Sequence, residues 1–462
     1  MIADNKPQVI VAATAMTALV ALAWFVVPHP AVPIVLAFLP LGALFVLSQT
    51  FWLVTLFVLF SFFRIHEAFP VLYSLKIPLL LSMGALSALL WHTLISRTIK
   101  VYWHHSLTWM AVFWGLVILG IVFASNKGLA INLFKGIYWK IIVMTLAIAW
   151  LVNTDKNLGR IAVLIVLSGI LIGSVALSNQ ANGIGLVEGT RVTIGRDLGS
   201  MLGDPNDLSL VLMFPLAFAI GLTTTLRMNI FIRILGAIAI AVLMAAVIAT
   251  QSRGGLLGSL AVFGIFAIKL IRSKALLITL GVIGALALFA MAGISDRASG
   301  GAAEEGIDAS AMGRLYAWEA AFYMAVDNPI TGVGLNNFYA NYFFYSQHWD
   351  GLNHAVHSTW FGVLAETGFV GLIVFIITIT SLIKTARGTI KRIDQNPLMY
   401  SPSLNACANA VYAGLIGTIV SGTFLTQGFN WPIYILAALT VAVNFVEQNH
   451  SQNENARSQT EP

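Results

Sequence analysis

Arg160-Ile-Ala-Val-Leu-Ile-Val-Leu-Ser-Gly-Ile-Leu-Ile-Gly-Ser-Val-Ala-Leu177 carries a charge at its first residue and none in the seventeen that follow. A helix rises 1.5 Å per residue, so a run of this kind nearly matches the roughly 30 Å of a bilayer core. It is apolar on every face, which suits lipid or the centre of a large helical bundle. Working outward, similar blocks recur at 9–27, 31–47, 51–63, 71–95, 107–124 and 129–151. Others follow at 206–224, 229–250, 254–270, 275–294, 357–383, 407–426 and 430–446. The block at 51–63 is short enough to merge with a neighbour or to be re-entrant. The expectation is an all-α polytopic membrane protein of 12–14 transmembrane helices.

Composition agrees. Of 462 residues, 58% are hydrophobic and only 10% charged, with a mean hydropathy of +0.86. Soluble domains carry about 25% charged residues. These values exclude a soluble enzyme, a disordered chain and a disulfide scaffold. The single cysteine, Cys407, rules out an internal disulfide or a multi-cysteine metal site. The +6 balance and the pI near 9.4 point to basic cytoplasmic loops rather than to nucleic acid. The leader before the first block holds one Lys, and further spans follow at once, so that block reads as a retained helix rather than a cleaved signal.

Loop charges set the orientation. With Lys6 inside, fifteen Lys and Arg fall on the cytoplasmic side and seven on the other: Arg64, Lys127, Arg191, Arg196, Arg253, Arg297 and Arg314. That bias places both termini in the cytoplasm. The chain then divides into helices and short loops over 1–294, with an outer loop at 178–205. A large loop on the outer face follows at 295–356, C-terminal spans at 357–446, and a disordered tail at 447–462. Long loops inside compact domains are usually functional. Within this one, a helix from Gly313 to Val326 puts Leu315, Trp318, Ala321, Phe322 and Ala325 on one stripe, as for a helix lying on the membrane surface.

Chemistry is expected where ionisable residues meet the outer ends of spans. His354-Ala-Val-His357-Ser358 opens one span, and Gly368 and Gly371 follow at spacings that continue a single helical stripe below His357. Such glycines admit a neighbouring helix, and histidine suits base work near neutral pH. Ser252-Arg253-Gly254-Gly255 pins an arginine beside a helix N-terminus and exposed amides, a setting that favours anions. Arg191 and Arg196 lie in a loop that feeds through Asp204-Pro-Asn, a turn and helix start, into another span. Glu366 reads as a structural partner. His104-His105, on the inner face, reads as a lipid-headgroup or solvated pair rather than a metal site.

Together these segments resemble the O-antigen ligase and polymerase superfamily of bacterial membrane glycosyltransferases. His357-Ser358, nine residues, then Gly368-Phe-Val-Gly371 fits the ligase pattern throughout. Ser252-Arg253-Gly254-Gly255 is similar to the family's Ser-Arg-Gly segment. Arg196 through Asp204-Pro-Asn-Asp-Leu is similar to its first arginine ahead of a Pro-Asn turn, with Arg191 as the other counterpart because the Arg196 spacing is about one residue long. Gly332-Val-Gly334 resembles a segment of the large periplasmic loop.

The resemblance implies a bacterial inner membrane with the 295–356 loop in the periplasm, and periplasmic transfer of a glycan from an undecaprenyl pyrophosphate donor. The acceptor hydroxyl would belong to lipid A-core for a ligase or to another glycan for a polymerase, with inversion and with no metal or other cofactor. His357, Arg253 and Arg196 would be catalytic: the histidine as base, the arginines on the leaving pyrophosphate. Arg191, Gly254, Gly255 and His354 would bind substrate. A protein O-oligosaccharyltransferase shares these features. The non-enzymatic rival, a lipid-linked glycan flippase or transporter, would place its charges at mid-membrane and show repeat symmetry. The sequence shows neither clearly.

Overall fold

The computed structural model describes residues 31–291 and 309–460, with six further positions between Thr14 and Phe25. Most of the block at 9–27 and the opening of the large loop lie outside the described residues. The helices, in chain order, are α1 (Ala31–Ser48), α2 (Thr50–Phe63), α3 (Ile77–Leu90), α4 (His105–Val122), α5 (Lys127–Leu133, continued to Leu151) and α6 (Asp155–Asn182). They continue as α7 (Pro205–Thr224), α8 (Ile230–Thr250), α9 (Arg253–Leu270), α10 (Lys274–Met291), α11 (Ala309–Asp327) and α12 (Phe338–Tyr345). The last three are α13 (Thr359–Gln395), α14 (Pro402–Gly422) and α15 (Trp431–Thr460). Among the described residues ten helices are long and apolar enough to cross a membrane, or eleven if α1 and α2, bent by 77°, form one broken span. This is an all-α, multi-helix chain of the polytopic membrane kind. The short block at 51–63 is thus half of a bent pair.

Residue choice explains where the helices begin. Thr154, Asp204, Asn229, Ser252, Ser358 and Ser401 each accept a backbone N–H of the first turn, and Pro205 and Pro402 occupy first-turn positions where no N–H is needed. The centre of the bundle is α7, buried from Leu208 to Leu222 between α6, α8, α9 and α14. Small residues allow that density. A Cβ on Gly221 would lie 2.8 Å from the Ala406 carbonyl, and one on Gly258 would lie 3.0 Å from that of Gly417. The outer surface is apolar in turn: Leu79, Leu80 and Met83 of α3, Ile234 and Ile238 of α8, and Ile278 and Leu286 of α10 are exposed.

Two expectations change here. First, α11 does not present a single apolar stripe to the membrane. Its Ala317, Ala320, Ala321 and Met324 are fully buried against α13, with Trp318 stacked on Phe361 at 5.0 Å, while Leu315 and Phe322 stay exposed. Small residues win the packed face because they bring the two backbones close. Second, the segment expected as a disordered tail continues α15 to Thr460. It is anchored by His450, whose Nε2 lies 2.6 Å from Asp155 and whose ring meets Tyr400 edge-on.

The two ends of the bundle differ in chemistry. At one end Lys269 pairs with Asp394 at 2.7 Å, Arg392 with the buried Glu447 at 2.7 Å, and Arg227 donates to the Pro397 and Tyr400 carbonyls. The other end gathers the residues singled out by sequence.

Candidate active site

Three helix N-termini meet at that second end: α7 behind Asp204, α9 behind Ser252 and α13 behind Ser358. The Asp204 carboxylate accepts the Asn206 and Asp207 N–H groups at 2.7 and 3.3 Å. Ser252 Oγ accepts Gly255 N–H at 3.3 Å, and Ser358 Oγ accepts Phe361 N–H at 3.5 Å. The last two starts share one construction. A residue in the left-handed backbone region, Gln251 (φ 50°) or His357 (φ 42°), precedes each capping serine. That residue turns the chain sharply from the loop into the helix. It costs about 1–2 kcal/mol for a residue with a Cβ.

Side-chain bonds tie the three starts together. Asn206 Oδ1 accepts from Ser252 Oγ at 3.0 Å and from Arg191 Nη2 at 3.1 Å. Arg191 Nε donates to the Thr250 carbonyl at 3.2 Å, so this buried guanidinium fixes the end of α8 to the start of α7. Thr359 Oγ1 donates to the Leu425 carbonyl at 2.7 Å and accepts Gln427 N–H at 3.0 Å. Gln427 Nε2 then reaches Asp207 at 3.2 Å. The path from α13 to α9 therefore runs through the 425–427 loop and the first turn of α7. Asn206 entered the sequence reading only as part of the Asp204-Pro-Asn turn, and Thr359 and Gln427 were not singled out, because amides and hydroxyls carry no spacing signal.

The expected site residues are distributed as follows. Arg253 is the first residue of α9. Arg196 lies exposed on the short turn Arg196–Leu198, with its Nη1 3.3 Å from the Gly203 carbonyl, one residue before Asp204. His357 is held below its ordinary basicity first by burial and then by the Arg314 charge. The Asp204 carboxylate opposes that shift, and His354 adds to it. Asp204 and Arg314 thus both act on the imidazole. His354 is bonded to Asp350 at 2.9 Å, a contact that holds the Asp350 carboxyl below its usual range. Gly254 and Gly255 face protein: a Cβ on Gly254 would touch Phe424 at 3.4 Å, and one on Gly255 would collide with Ser209.

The glycine stripe beneath His357 is not present. His357 lies ahead of the helix, which begins at Thr359, and Gly368 breaks that helix with φ 68° and ψ −173°. The break receives the large loop. Phe369 N–H donates to the Pro329 carbonyl at 2.9 Å, and Val333 N–H donates to that of Ala365 at 2.8 Å. Glu366 completes the anchor by accepting Asn336 N–H at 2.7 Å and Phe338 N–H at 3.3 Å, where α12 begins. The structural role expected for Glu366 is the one it has. Gly332-Val-Gly334 is the turn that enters the break, as both glycines adopt positive φ.

A helical bundle of membrane type, with its polar network at one end and a long loop anchored above it, is the class these features define. Within it, residues 237–376 match the model of the O-Antigen ligase family, so a domain of that family is identified in this part of the chain. The matched stretch contains Arg253 and His357; Arg191 and Arg196 precede it. No curated protein matches the chain. Among the described residues no group of three or more His, Cys, Asp or Glu is placed to hold a metal ion.

Proposed function

We propose that this end of the bundle faces the periplasm of a bacterial inner membrane and transfers a glycan from undecaprenyl pyrophosphate to an acceptor hydroxyl, that of lipid A-core in the ligase reading. The observation that carries the reading is the convergence of three helix N-termini on one region that also holds Arg253, Arg196 and His357. Aligned N–H dipoles and guanidinium groups favour the negative charge that grows on a departing pyrophosphate. His357, kept neutral near pH 7 by its surroundings, accepts the proton of the attacking hydroxyl while the acceptor oxygen bonds to the anomeric carbon and the bond to the pyrophosphate breaks. Arg196 is open to substrate, and Arg253 begins a helix. Arg191, with its donors engaged by Thr250 and Asn206, holds the end of α8 to the start of α7 rather than gripping the ligand. His354, carried by Asp350, lines the approach.

Purified protein with a lipid-linked glycan donor and a lipid A-core acceptor tests this directly. Transfer that is lost in both Arg253→Ala and His357→Ala, with folding intact, is the expected result. Transfer by either variant at the wild-type rate overturns the reading. Polymerisation is the second reading, because the family match does not distinguish acceptors. Cells lacking the protein separate the two: long chains left on the carrier mark a ligase, and single repeat units on the acceptor mark a polymerase. A flippase would show movement of donor without transfer.

A further inference from the structure

Beside the three helix starts, a cavity of about 20 Å³ lies between the end of α2, the turn at 201–202, the first turns of α7 and the 427–431 segment. A volume of that size takes one water-sized group and no more. Asp207 and Gln427 line it and connect it to the candidate active site. Gln427 Nε2 donates to Asp207 Oδ1 at 3.2 Å, and its backbone N–H reaches Thr359, two residues after His357. Asp207 Oδ2 makes no hydrogen bond among the described residues, yet it is not sealed, since Asp207 keeps accessible surface. One carboxylate oxygen therefore opens on the cavity.

Arg64 and Asn430 line the same cavity. Arg64 closes α2 with φ 50°, and Glu67 holds its Nη1 at 2.9 Å. Glu67 also accepts from Ser200 Oγ at 2.5 Å, which fixes the residue next to Met201. Asn430 Oδ1 accepts the Trp431 N–H at 2.9 Å, so its amide nitrogen points the other way. Both free donors then meet one atom. Arg64 Nη2 donates to Met201 Sδ at 3.4 Å, and Asn430 Nδ2 donates to the same sulfur at 3.8 Å. A thioether is a weak acceptor. Two strong donors are thus aimed at one point and poorly satisfied there, and Met201, 38% exposed, has room to turn outward.

We propose that this cavity is a subsite for a single hydroxyl group of a glycan, which takes the place of the Met201 sulfur. The hydroxyl oxygen accepts from Arg64 Nη2 and Asn430 Nδ2 and donates its proton to Asp207 Oδ2, which uses its full capacity of two acceptor positions and one donor. A phosphate oxygen has no proton for the carboxylate and is repelled by its charge. A whole sugar ring is too large, so the ring stays outside and one of its hydroxyls is read. The inference rests on the glycan-transfer reading for its ligand. It makes Asp207, Arg64 and Asn430 residues that select the sugar rather than carry the reaction.

Full-length protein in detergent, titrated with the lipid-linked glycan donor alone and with lipid A-core alone, tests this without turnover. Asp207→Asn keeps the side chain's size and the bond from Gln427 but turns an amide N–H toward the cavity. It should weaken binding of one of the two ligands about tenfold, the size of one hydrogen bond to a charged group. The ligand affected identifies the source of the hydroxyl. Asn430→Asp, which keeps the bond to Trp431 and removes the donor, should act alike and keeps the test decisive if Asp207→Asn melts low. Met201→Ala should tighten the same ligand about threefold, because no side chain has to be displaced and ordered elsewhere. Weaker binding in Met201→Ala, with lower melting, would mark a structural methionine and overturn the inference. Transfer is measured separately. A wild-type protein that transfers glycan, with neither ligand's binding altered by any variant, overturns the subsite and leaves the transfer reading standing. The expected binding shifts without transfer would support the subsite and refute the reaction. Binding of neither ligand to the wild type would overturn both.

Discussion

Gly368→Ala probes the joint on which the large loop rests. Gly368 has φ 68° and ψ −173°, a region open in practice only to glycine. An added Cβ would meet the Pro329 carbonyl oxygen at 2.5 Å and its carbon at 2.7 Å, both backbone atoms that cannot swing away. Holding the conformation costs about 1–3 kcal/mol for a residue with a Cβ. Moving the loop instead breaks the Phe369–Pro329 and Val333–Ala365 bonds, worth about 1–3 kcal/mol each if the groups stay buried and unpaired. Because the clash with the Pro329 backbone forces the second route, the two bonds put the loss at about 2–6 kcal/mol, a large part of a typical 5–15 kcal/mol stability.

The loss should be local before it is global. Limited proteolysis should cut the 309–356 segment well before the rest of the bundle, and the melting temperature should fall. Transfer should drop as well, because the same loop carries Arg314 and His354 to His357. Gly368→Ala with wild-type proteolysis and melting would refute the anchoring argument and restore a plain helix with a packing stripe.

Further outcomes follow from the same geometry. Arg253→Lys should lose most transfer, since lysine keeps the charge but not the planar fork; near-normal rates would remove the phosphate role. Arg191→Ala should lower melting and activity together, whereas Arg196→Ala should lower activity with melting unchanged; the reverse pattern would exchange their roles. Transfer should fall as pH drops, because the base must be neutral, and the fall should lie below His357's ordinary 6.5 since burial lowers its pKa; His354→Ala should leave that limb in place. A cysteine at Ser310, read against the buried native Cys407, should be labelled in cells whose inner membrane is intact; labelling only after permeabilisation would invert the topology.

Hydropathy and loop charge were enough to find the spans and to place Arg191, Arg253 and His357 at one end, because those signals are local and additive. Interruptions were harder to see. Nothing in Thr359–Gln395 marks Gly368 as a break rather than a packing glycine, since the reason for it, the Pro329 carbonyl, lies some forty residues away in sequence. The helical tail was missed for a similar reason: a polar, aperiodic segment gains its order from Asp155 and Tyr400, which no local pattern connects to His450. Asn206 and Gln427, which join the helix starts, are invisible to any rule based on charge. The coupling of the site depends on them all the same.

The left-handed residue ahead of each capping serine allows the backbone and the chemistry of His357 to be separated. At φ 42° a histidine is held against its own preference, and glycine would occupy the position without that cost. His357→Gly should therefore keep the turn into α13 and, offset by the loss of buried ring contacts, melt no lower than His357→Ala, which keeps the strain and loses the ring. Both should lose about 10²- to 10⁴-fold in rate, the usual loss on removing a general base. Gln251→Gly supplies the control, with the same backbone relief before Ser252 and no imidazole to lose, and it should leave transfer intact. Melting curves and transfer rates for the three variants decide the matter. A His357→Gly protein that melts well below His357→Ala would show that the turn is set by something other than its backbone. One that transfers at the wild-type rate would show that His357 shapes the chain without serving as the base.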